Sequence, residues 1–328
     1  KAGYPMKTIA NNSFLVYYIL NETKAQNVDN ISRTKAYERF FRTYPEIKWA
    51  FLASIVSRNA GWNMTDLTIH PFRTLLGERE RNHLFLTYER ANWLIFSDAY
   101  PQLLVYQFSK KFQKPLFHLL TQFKVSEFMV KEWNHFWKTK DEYRLMAALI
   151  INEQQVIDES VIQKESFQRN VFRQFPYRVQ DALYFNAVIV PTRKGELYGI
   201  YVHQFEKVDK RIEIGKRIAT LIFSEEHFED VWNFAKNVEH TGSRKDYERF
   251  LSIRLPQSSV LRACFPRVHH QEIERKDWYM NKRVRKKWFR YPEIETKQIS
   301  QSYYQKRKWL YRYAWIKRFI INMKKNPR

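Results

Sequence analysis

The sequence has little cysteine and no long apolar run. Its single cysteine, Cys264, excludes an intramolecular disulfide framework and a metal cluster built from cysteine alone, which indicates a reducing compartment. The longest apolar runs, Trp49–Val56 and Leu145–Ile151, are far shorter than the roughly 20 residues that a membrane-spanning helix needs. The single cysteine and the short apolar runs together predict a cytoplasmic protein. The chain begins at Lys1 rather than at a methionine, so a leader or an anchor could precede it.

Glycine is also scarce, with only 7 in 328 residues. Their positions exclude the glycine spacing of a dinucleotide fingerprint, of a phosphate-binding P-loop and of a nucleophile elbow. A nucleotide could bind only by another route. We accordingly predict no cofactor, and the protein is more typical of a binding protein than of an enzyme.

Acidic residues are outnumbered, and the excess of positive charge is concentrated at one end. The chain has 57 Lys and Arg against 34 Asp and Glu, a net charge of +23. Residues 281–328 contain 16 basic and 2 acidic residues, so 16 − 2 = +14 of this charge lies there. Such an excess is typical of proteins that bind polyanions, either nucleic acid or an anionic membrane surface. The alternative is a basic protein whose charge only maintains solubility.

The pattern of apolar residues predicts a mainly α-helical protein. Helical spacing recurs along the chain, and one β-rich region, about 184–202, is predicted to form a small β-hairpin. The change in composition divides the chain into a helical body, residues 1–277, and a basic, aromatic-rich C-terminal extension, residues 278–328, expected to be largely helical.

Some local signals predict where helices begin and end. Gly61 is expected to end a helix that begins near Glu46, and Pro101 to open a new segment capped by Ser97 or Asp98. Other predicted N-caps follow the same rules and are Ser126, Thr139 with Glu142 as a capping box, and Ser243 with Asp246.

The segment Ser57–Leu67, "SRNAGWNMTDL", combines polar side chains with an indole and a glycine. One interpretation is a structural corner, in which Gly61 ends a helix and Asp66 pairs with Arg58. The other is a ligand contact, since Arg58, Asn59 and Asn63 could donate hydrogen bonds to a phosphate or a base edge and Trp62 could stack on a base. We favour the structural corner, and the polar density of the segment keeps a ligand contact as the alternative.

Several residues have the chemistry, but not the full pattern, of a metal or catalytic site. The pairs Glu80/His83 and Glu132/His135 have the spacing of a di-metal helix motif, but no partner carboxylates are identified. "VHHQE", residues 268–272, lies close to Cys264 without an acidic orienting partner for a thiol–imidazole pair. We therefore predict no metal site and no assigned catalytic residue.

The segment from Lys282 to Tyr291 alternates basic and aromatic residues, the mixture expected of a surface that follows phosphates and stacks bases. The candidate binding residues in it are Lys282, Arg283, Arg285, Lys286, Lys287, Trp288, Phe289 and Arg290.

Beyond Pro292 the spacing predicts a basic amphipathic helix. Its apolar stripe comprises Trp309, Tyr313, Ile316, Ile320 and Met323, with Arg307, Arg318 and Lys325 on the opposite side. The stripe could pack on the body and present the basic side to nucleic acid, it could enter a lipid interface, or the helix could have no partner. We count Arg307, Trp309 and Arg318 as candidate binding residues.

The preferred function is non-enzymatic binding of nucleic acid, mainly through phosphates. The first alternative is an enzyme with a polar pocket around Arg58, Asn63 and Asp66. The second is a peripheral protein of anionic membrane surfaces, anchored by the last helix.

The block Asn27–Leu67, "NVDNISRTKAYERFFRTYPEIKWAFLASIVSRNAGWNMTDL", resembles a family of bacterial proteins of unknown function, the YppC-like proteins of Bacillus-type organisms. The resemblance extends through Leu84–Gln107, "LFLTYERANWLIFSDAYPQLLVYQ". It implies a bacterial, cytoplasmic setting, and it implies no activity, cofactor or catalytic residue.

Overall fold

The computed structural model describes residues 12–172, 187–253, 255–272, 274–295 and 297–325. Within them the protein is mainly α-helical with one two-stranded antiparallel hairpin, as the sequence predicts. The helices are α1 (Asn12–Gln26), α2 (Asn30–Thr43), α3 (Lys48–Asp66), α4 (His70–Leu75), α5 (Glu78–Phe112), α6 (Glu127–Thr139), α7 (Glu142–Ile157), α8 (Glu165–Phe167), α9 (Val208–Ile222), α10 (Phe228–Asn237), α11 (Lys245–Glu248), α12 (Leu261–Cys264) and α13 (Ser300–Lys325).

Shorter helical pieces connect these elements. The 3₁₀ segments are Phe117–Phe123, Trp278–Met280 and Lys286–Phe289, and the π-helical turns are Asp158–Ile162 and Gln168–Phe172.

Side-chain caps define several helix starts. Asp29 accepts a hydrogen bond from the backbone N–H of Ser32 at the start of α2, and Ser126 accepts one from Met129 at the start of α6, which confirms the predicted Ser126 cap. The predicted Thr139 cap is wrong by two residues, because Asp141 accepts from the N–H of Arg144 instead. A carboxylate is an equally good cap, and it also interacts favourably with the positive end of the helix.

The expectation that Gly61 ends a helix is wrong, since α3 continues to Asp66. Glycine is used here for close packing rather than for a left-handed conformation. A Cβ atom at position 61 would lie 2.7 Å from Asn30 Oδ1 and 2.8 Å from the imidazole of His240. The absence of a side chain thus lets two other elements approach the helix.

The prediction of a new segment at Pro101 is also wrong, because α5 runs through this proline. Asp98, expected to cap that segment, is instead buried and bound by Gln102, Asn152 and Arg275. These tertiary contacts, together with a buried apolar face, outweigh the local cost of a proline without an N–H. Helix stability in proteins comes mostly from such packing.

The hairpin pairs β1 (Ala187–Pro191) with β2 (Leu197–Tyr201), with Ile189 opposite Gly199. Gly195 in the connecting turn has φ +83°, a conformation that glycine adopts without strain. The prediction of a hairpin is confirmed, and residues 184–186 of its predicted range lie outside the described residues.

The largest hydrophobic core is formed mainly by α2, α3, α5, α6, α7 and α9. Trp278 and Trp288, from the predicted C-terminal extension, are both buried in the same core. Composition is the only basis for dividing the chain into residues 1–277 and 278–328, and this division stays a prediction. Within the described ranges, no helix has the length and apolar character needed to cross a membrane.

Candidate functional site: a buried junction and two basic surfaces

The C-terminal half of α3 joins several distant parts of the chain, and we call residues 57–66 with their partners the α3 junction. Arg58 is 2% exposed and donates to the carbonyl oxygens of Ala235 and Val238, which lie at the end of α10. Its Nη2 also forms an ion pair with Glu38 at 2.9 Å, so the predicted pairing of Arg58 with Asp66 is wrong. Asn59 accepts from the N–H of Ile189 and thereby holds β1.

Trp62 is completely buried, and its indole N–H donates to Asp246 Oδ2 at 3.0 Å. The same carboxylate accepts from the backbone N–H and the hydroxyl of Thr241. Burial alone would raise the pKa of Asp246, but its hydrogen bonds with His240, Thr241 and Trp62 lower it below its ordinary value. Asp246 therefore organises the 240–246 loop, and the predicted capping role with Ser243 is replaced by this wider network.

Asp66 is 3% exposed and lies between two arginines. Its Oδ2 accepts from Arg244 Nε at 2.5 Å and from Arg307 Nη1 at 2.9 Å. Burial alone would raise the pKa of Asp66, but the two guanidinium groups lower it below its ordinary value. Asp66 is thus the ionised centre that joins α3 to the 240–246 loop and to α13.

The α3 junction offers no accessible polar surface for a ligand at Arg58 or Trp62, whereas Asn59 is buried but lines a neighbouring cavity. Asn63, which is partly exposed, accepts from Arg244 Nη2 and also lines a neighbouring cavity. Arg58 and Asp66 are thus bound to different partners within the protein, and the enzyme pocket around Arg58, Asn63 and Asp66 stays a prediction. His240, Asp246 and Arg244 complete the junction, and no spacing in the sequence links them to α3.

The basic segment, residues 282–290, follows the surface of the body, and part of its charge is neutralised there. Arg285 and Lys287 share the carboxylate of Asp209, at 2.6 and 3.3 Å. Lys282 pairs with Asp158 and Glu159. Three other cations are exposed and form no ion pair with a described residue: Arg283, Lys286 and Arg290.

The predicted stacking residues of this segment face the protein. Trp288 is 5% exposed, and its indole N–H donates to Asp209 Oδ1. Phe289 is partly buried beneath the guanidinium group of Arg144. The segment therefore presents charge to solvent while its aromatic rings anchor it to the core.

Helix α13 differs from the basic segment, because many of its apolar side chains face solvent instead of the core. Large apolar side chains cover its outer face, which we define as Trp309, Tyr313, Trp315, Ile316, Phe319, Ile320 and Met323. Their exposed fractions lie between 48% for Ile316 and 68% for Trp315, so the stripe predicted from the sequence does not pack on the described body. Lys308 and Arg312 are exposed among these side chains.

The inner side of α13 carries residues that were expected to face solvent. Arg307 is 6% exposed and bound to Asp66, whereas Arg318 remains exposed, with its Nη1 2.7 Å from His70 Nε2. The small Ala314 is buried between them along the helix, and Lys317 donates to the carbonyl of Leu75. The expectation that the basic side is the free side is therefore wrong for Arg307, because the buried Asp66 requires cations. The side chain of Lys325 lies outside the described residues.

The metal candidates have structural partners. Glu80 accepts from the N–H of Gly77 at the start of α5, and Glu132 forms a bidentate pair with Arg144. Within the part of the chain that the structure describes, no group of three His, Cys, Asp or Glu side chains is placed to hold a metal. Cys264 is partly buried and contacts Thr68 and the carbonyl of Ser259.

This arrangement defines a mainly α-helical protein tied together by a buried ionic junction. The chain belongs to the family described as "Protein of unknown function (DUF2515)", whose model matches residues 25–310. It is 49% identical over 286 residues, 87% of this chain, to "Uncharacterized protein YppC" of Bacillus subtilis, of which the match covers 89%. These matches confirm the resemblance seen in the sequence. No solved structure matches the chain significantly.

Proposed function

We propose that this protein binds peripherally to anionic membrane surfaces through the outer face of α13. The observation that supports this function is the exposure of seven large apolar side chains on a helix rich in positive charge. Residues 300–325 contain eight Lys or Arg and no Asp or Glu. A helix with an aromatic and aliphatic face and many cations is typical of segments that lie in the lipid interface.

The chemistry of this face favours lipid over other partners. Ile316, Ile320 and Met323 are aliphatic, and they gain free energy only by entering hydrocarbon or a protein core. Nucleic acid offers stacking surfaces to aromatic rings but no comparable environment for aliphatic side chains. A second copy of α13 would bring two strongly cationic helices together, which electrostatic repulsion disfavours. A cytoplasmic location, at the anionic inner leaflet, is part of this proposal.

The test is co-sedimentation of the full chain with vesicles. Vesicles of equal parts phosphatidylglycerol and phosphatidylcholine are expected to bind the protein, and vesicles of phosphatidylcholine alone are not. Because the attraction is partly electrostatic, binding weakens as salt is added. Equal binding to both vesicles, or to neither, would overturn the proposal.

Two variants separate the apolar and the electrostatic contributions. Ile316→Asn with Ile320→Asn removes roughly 3 kcal/mol of apolar transfer and weakens binding by about 100-fold. Lys308→Gln with Arg312→Gln removes about 2 kcal/mol, roughly 30-fold. The matched control is Leu86→Asn with Met280→Asn, which changes two apolar side chains that are also exposed, 40% and 76%, outside α13. Vesicle binding by this control should equal that of the wild type.

Nucleic-acid binding remains a second proposal, supported by Arg283, Lys286 and Arg290, which are exposed and form no ion pair with a described residue. Their replacement by Gln should weaken binding to a labelled duplex and a labelled single strand about equally and reduce the salt dependence, because phosphate contacts carry no sequence information. Wild-type protein that binds neither probe at low salt would exclude this second function. The vesicle assay is unaffected by that outcome.

A further inference from the structure

A cavity of about 220 Å³ lies between α2, α3, α5, α7 and α9, and no residue of α13 lines it. A cavity of about 150 Å³ holds a benzene molecule, so this one has room for roughly nine or ten non-hydrogen atoms. It is therefore separate from the proposed membrane face and large enough for a small organic molecule.

Aliphatic side chains form most of the cavity wall. Leu52 comes from α3, Ile95 from α5, Ile157 from α7, and Ile214 and Ile218 come from α9. Apolar cavities of this kind bind apolar molecules more readily than water, since water finds too few hydrogen-bond partners there. The body of a bound molecule would accordingly be aliphatic.

Polar residues of several elements also line the cavity, and two of them, which we call its polar side, are buried residues of α2. Arg33 is 1% exposed and Tyr37 is 3% exposed, and both line the cavity. The Nε and Nη1 atoms of Arg33 and the hydroxyl of Tyr37 have no hydrogen-bond partner among the described residues. Buried polar groups in proteins almost always have one, so these groups indicate a missing acceptor. These atoms have almost no accessible surface, so a ligand oxygen reaches them when the two side chains turn slightly towards the cavity, and their hydrogen bonds would then remove the cost of leaving them unpaired.

The charges around this polar side argue against an ionised ligand. Arg33 already forms a buried ion pair with Glu89, which balances its positive charge. Glu153 also lines the cavity, and burial raises its pKa to about 7. Arg211, the other arginine of the wall, is likewise paired, with Asp158. A charged ligand would therefore be buried without a counter-ion of its own, which is costly.

From this geometry we propose that the cavity binds an uncharged, mainly aliphatic molecule of about nine or ten non-hydrogen atoms, whose polar end is an accepting oxygen such as a carbonyl, placed against Arg33 and Tyr37. This binding site is independent of the proposed membrane function.

Isothermal titration of the full chain with three compounds of equal chain length tests the proposal. The probes are 2-octanone, octanoate and octylamine, which are uncharged, anionic and cationic at neutral pH. We expect 2-octanone to bind at least about ten times more tightly than either charged compound, because only it places an uncharged acceptor at the polar side. Absence of 2-octanone binding, or equal binding of all three, would overturn the proposal.

Two phenylalanine variants provide a matched comparison. Tyr37→Phe should weaken 2-octanone binding by about five- to tenfold, the usual effect of one hydrogen bond. Tyr304→Phe removes another buried hydroxyl without a partner, outside the cavity, and should leave binding unchanged. Neither hydroxyl forms a hydrogen bond within the part of the chain that the structure describes, so both variants should fold, which their thermal melting checks. Equal affinity of the two variants would contradict the assigned site.

Filling the cavity gives an independent readout. Ala53 lies in its wall, and Ala53→Phe should abolish 2-octanone binding while vesicle binding persists. Retained 2-octanone binding by a folded Ala53→Phe protein would place the ligand elsewhere and overturn the proposal.

Discussion

The α3 junction and α13 are both rich in arginine and tryptophan, yet they use these residues in opposite ways. In the junction, Arg58 and Trp62 are buried and bound to acceptors from distant elements. On α13, Trp309 and Trp315 are largely exposed, and Arg312 lies among them in solvent. Identical residue types thus serve as internal connections in one region and as a surface in the other.

The difference lies in the availability of buried acceptors. Glu38, Asp66 and Asp246 supply the junction with carboxylates, and backbone carbonyls at the end of α10 complete the set. Helix α13 has no acidic residue of its own, and Arg307 is drawn inward by Asp66 from α3. A buried charge is tolerated only when it is paired, so the location of the carboxylates decides which arginines are buried.

Removing the central carboxylate of the junction should have the largest effect. Asp66→Asn leaves Arg244 and Arg307 buried without an anion, which should lower the free energy of unfolding by about 3–5 kcal/mol. Urea denaturation measures this loss. The control is Asp230→Asn, which breaks the surface pair with Lys194 and should cost at most about 1 kcal/mol. Similar losses in both variants would show that the junction is no more sensitive than the surface.

Gly61→Ala tests the close packing of the junction, because the packing decides whether this substitution raises or lowers the free energy of unfolding. Alanine in a helix interior normally stabilises by about 1 kcal/mol relative to glycine. Here the added Cβ would displace Asn30 and His240, so we expect a net destabilisation of about 1–2 kcal/mol. In an Asn30→Ala background the penalty should shrink, because the nearest atom is gone. Stabilisation by Gly61→Ala in the wild-type background would refute the packing argument.

Asp66 and Glu153 should affect the free energy of unfolding at different pH values, because Asp66 is paired with cations and Glu153 forms no ion pair with a described residue. Asp66 has a lowered pKa, so its contribution to stability is present at neutral pH and is lost only in acid, below about pH 4. Glu153 forms no ion pair with a described residue, and burial raises its pKa from 4.5 to about 7. The folded protein therefore retains this proton, and stability is lost as the pH rises from 4.5 through 7.

Glu153→Gln should remove that loss. Its unfolding free energy relative to the wild type should increase by about 2 kcal/mol between pH 5 and pH 8. Urea denaturation at the two pH values checks the change, and a relative stability that stays constant would mean that Glu153 titrates normally. The result also bears on the cavity, because Glu153 lies in its wall.

Substitutions on the outer face of α13 should have the smallest effect on the free energy of unfolding. Ile316→Asn with Ile320→Asn should change the free energy of unfolding by less than about 0.5 kcal/mol per site, since both side chains are already largely exposed. Thermal or urea unfolding measures this value. A large destabilisation would mean that the face packs against the protein in solution. It would contradict the contrast between the buried junction and the exposed face of α13.

The sequence predicts the elements of this fold better than their orientation. The Ser126 cap and the β-hairpin follow from local residue types, which act over a few positions. The passage of α3 through Gly61 and of α5 through Pro101 depends on contacts with residues far away, such as His240 and Asn152. Local propensity contains no information about those contacts, so both helices were predicted to stop too early.

The same lack of information about distant contacts limits the prediction of which candidate binding residues face solvent. Amphipathic spacing predicts the stripe of α13, but it does not tell whether that stripe faces inward or outward. The decisive partner, Asp66, lies 241 residues before Arg307 and has no sequence signal that links the two. The cavity was likewise missed, because Arg33 and Tyr37 look like ordinary positions of an amphipathic α2 in the sequence.

The pairing of Asp66 with Arg307 also has a consequence for synthesis. Helix α3 emerges from the ribosome long before α13, so Asp66 is at first without either of its two cations. Arg244 arrives 178 residues after Asp66, and Arg307 follows only 241 residues after it. Because domains fold as units when their contacts are complete, the junction is expected to reach its native state only after α13 has been synthesised.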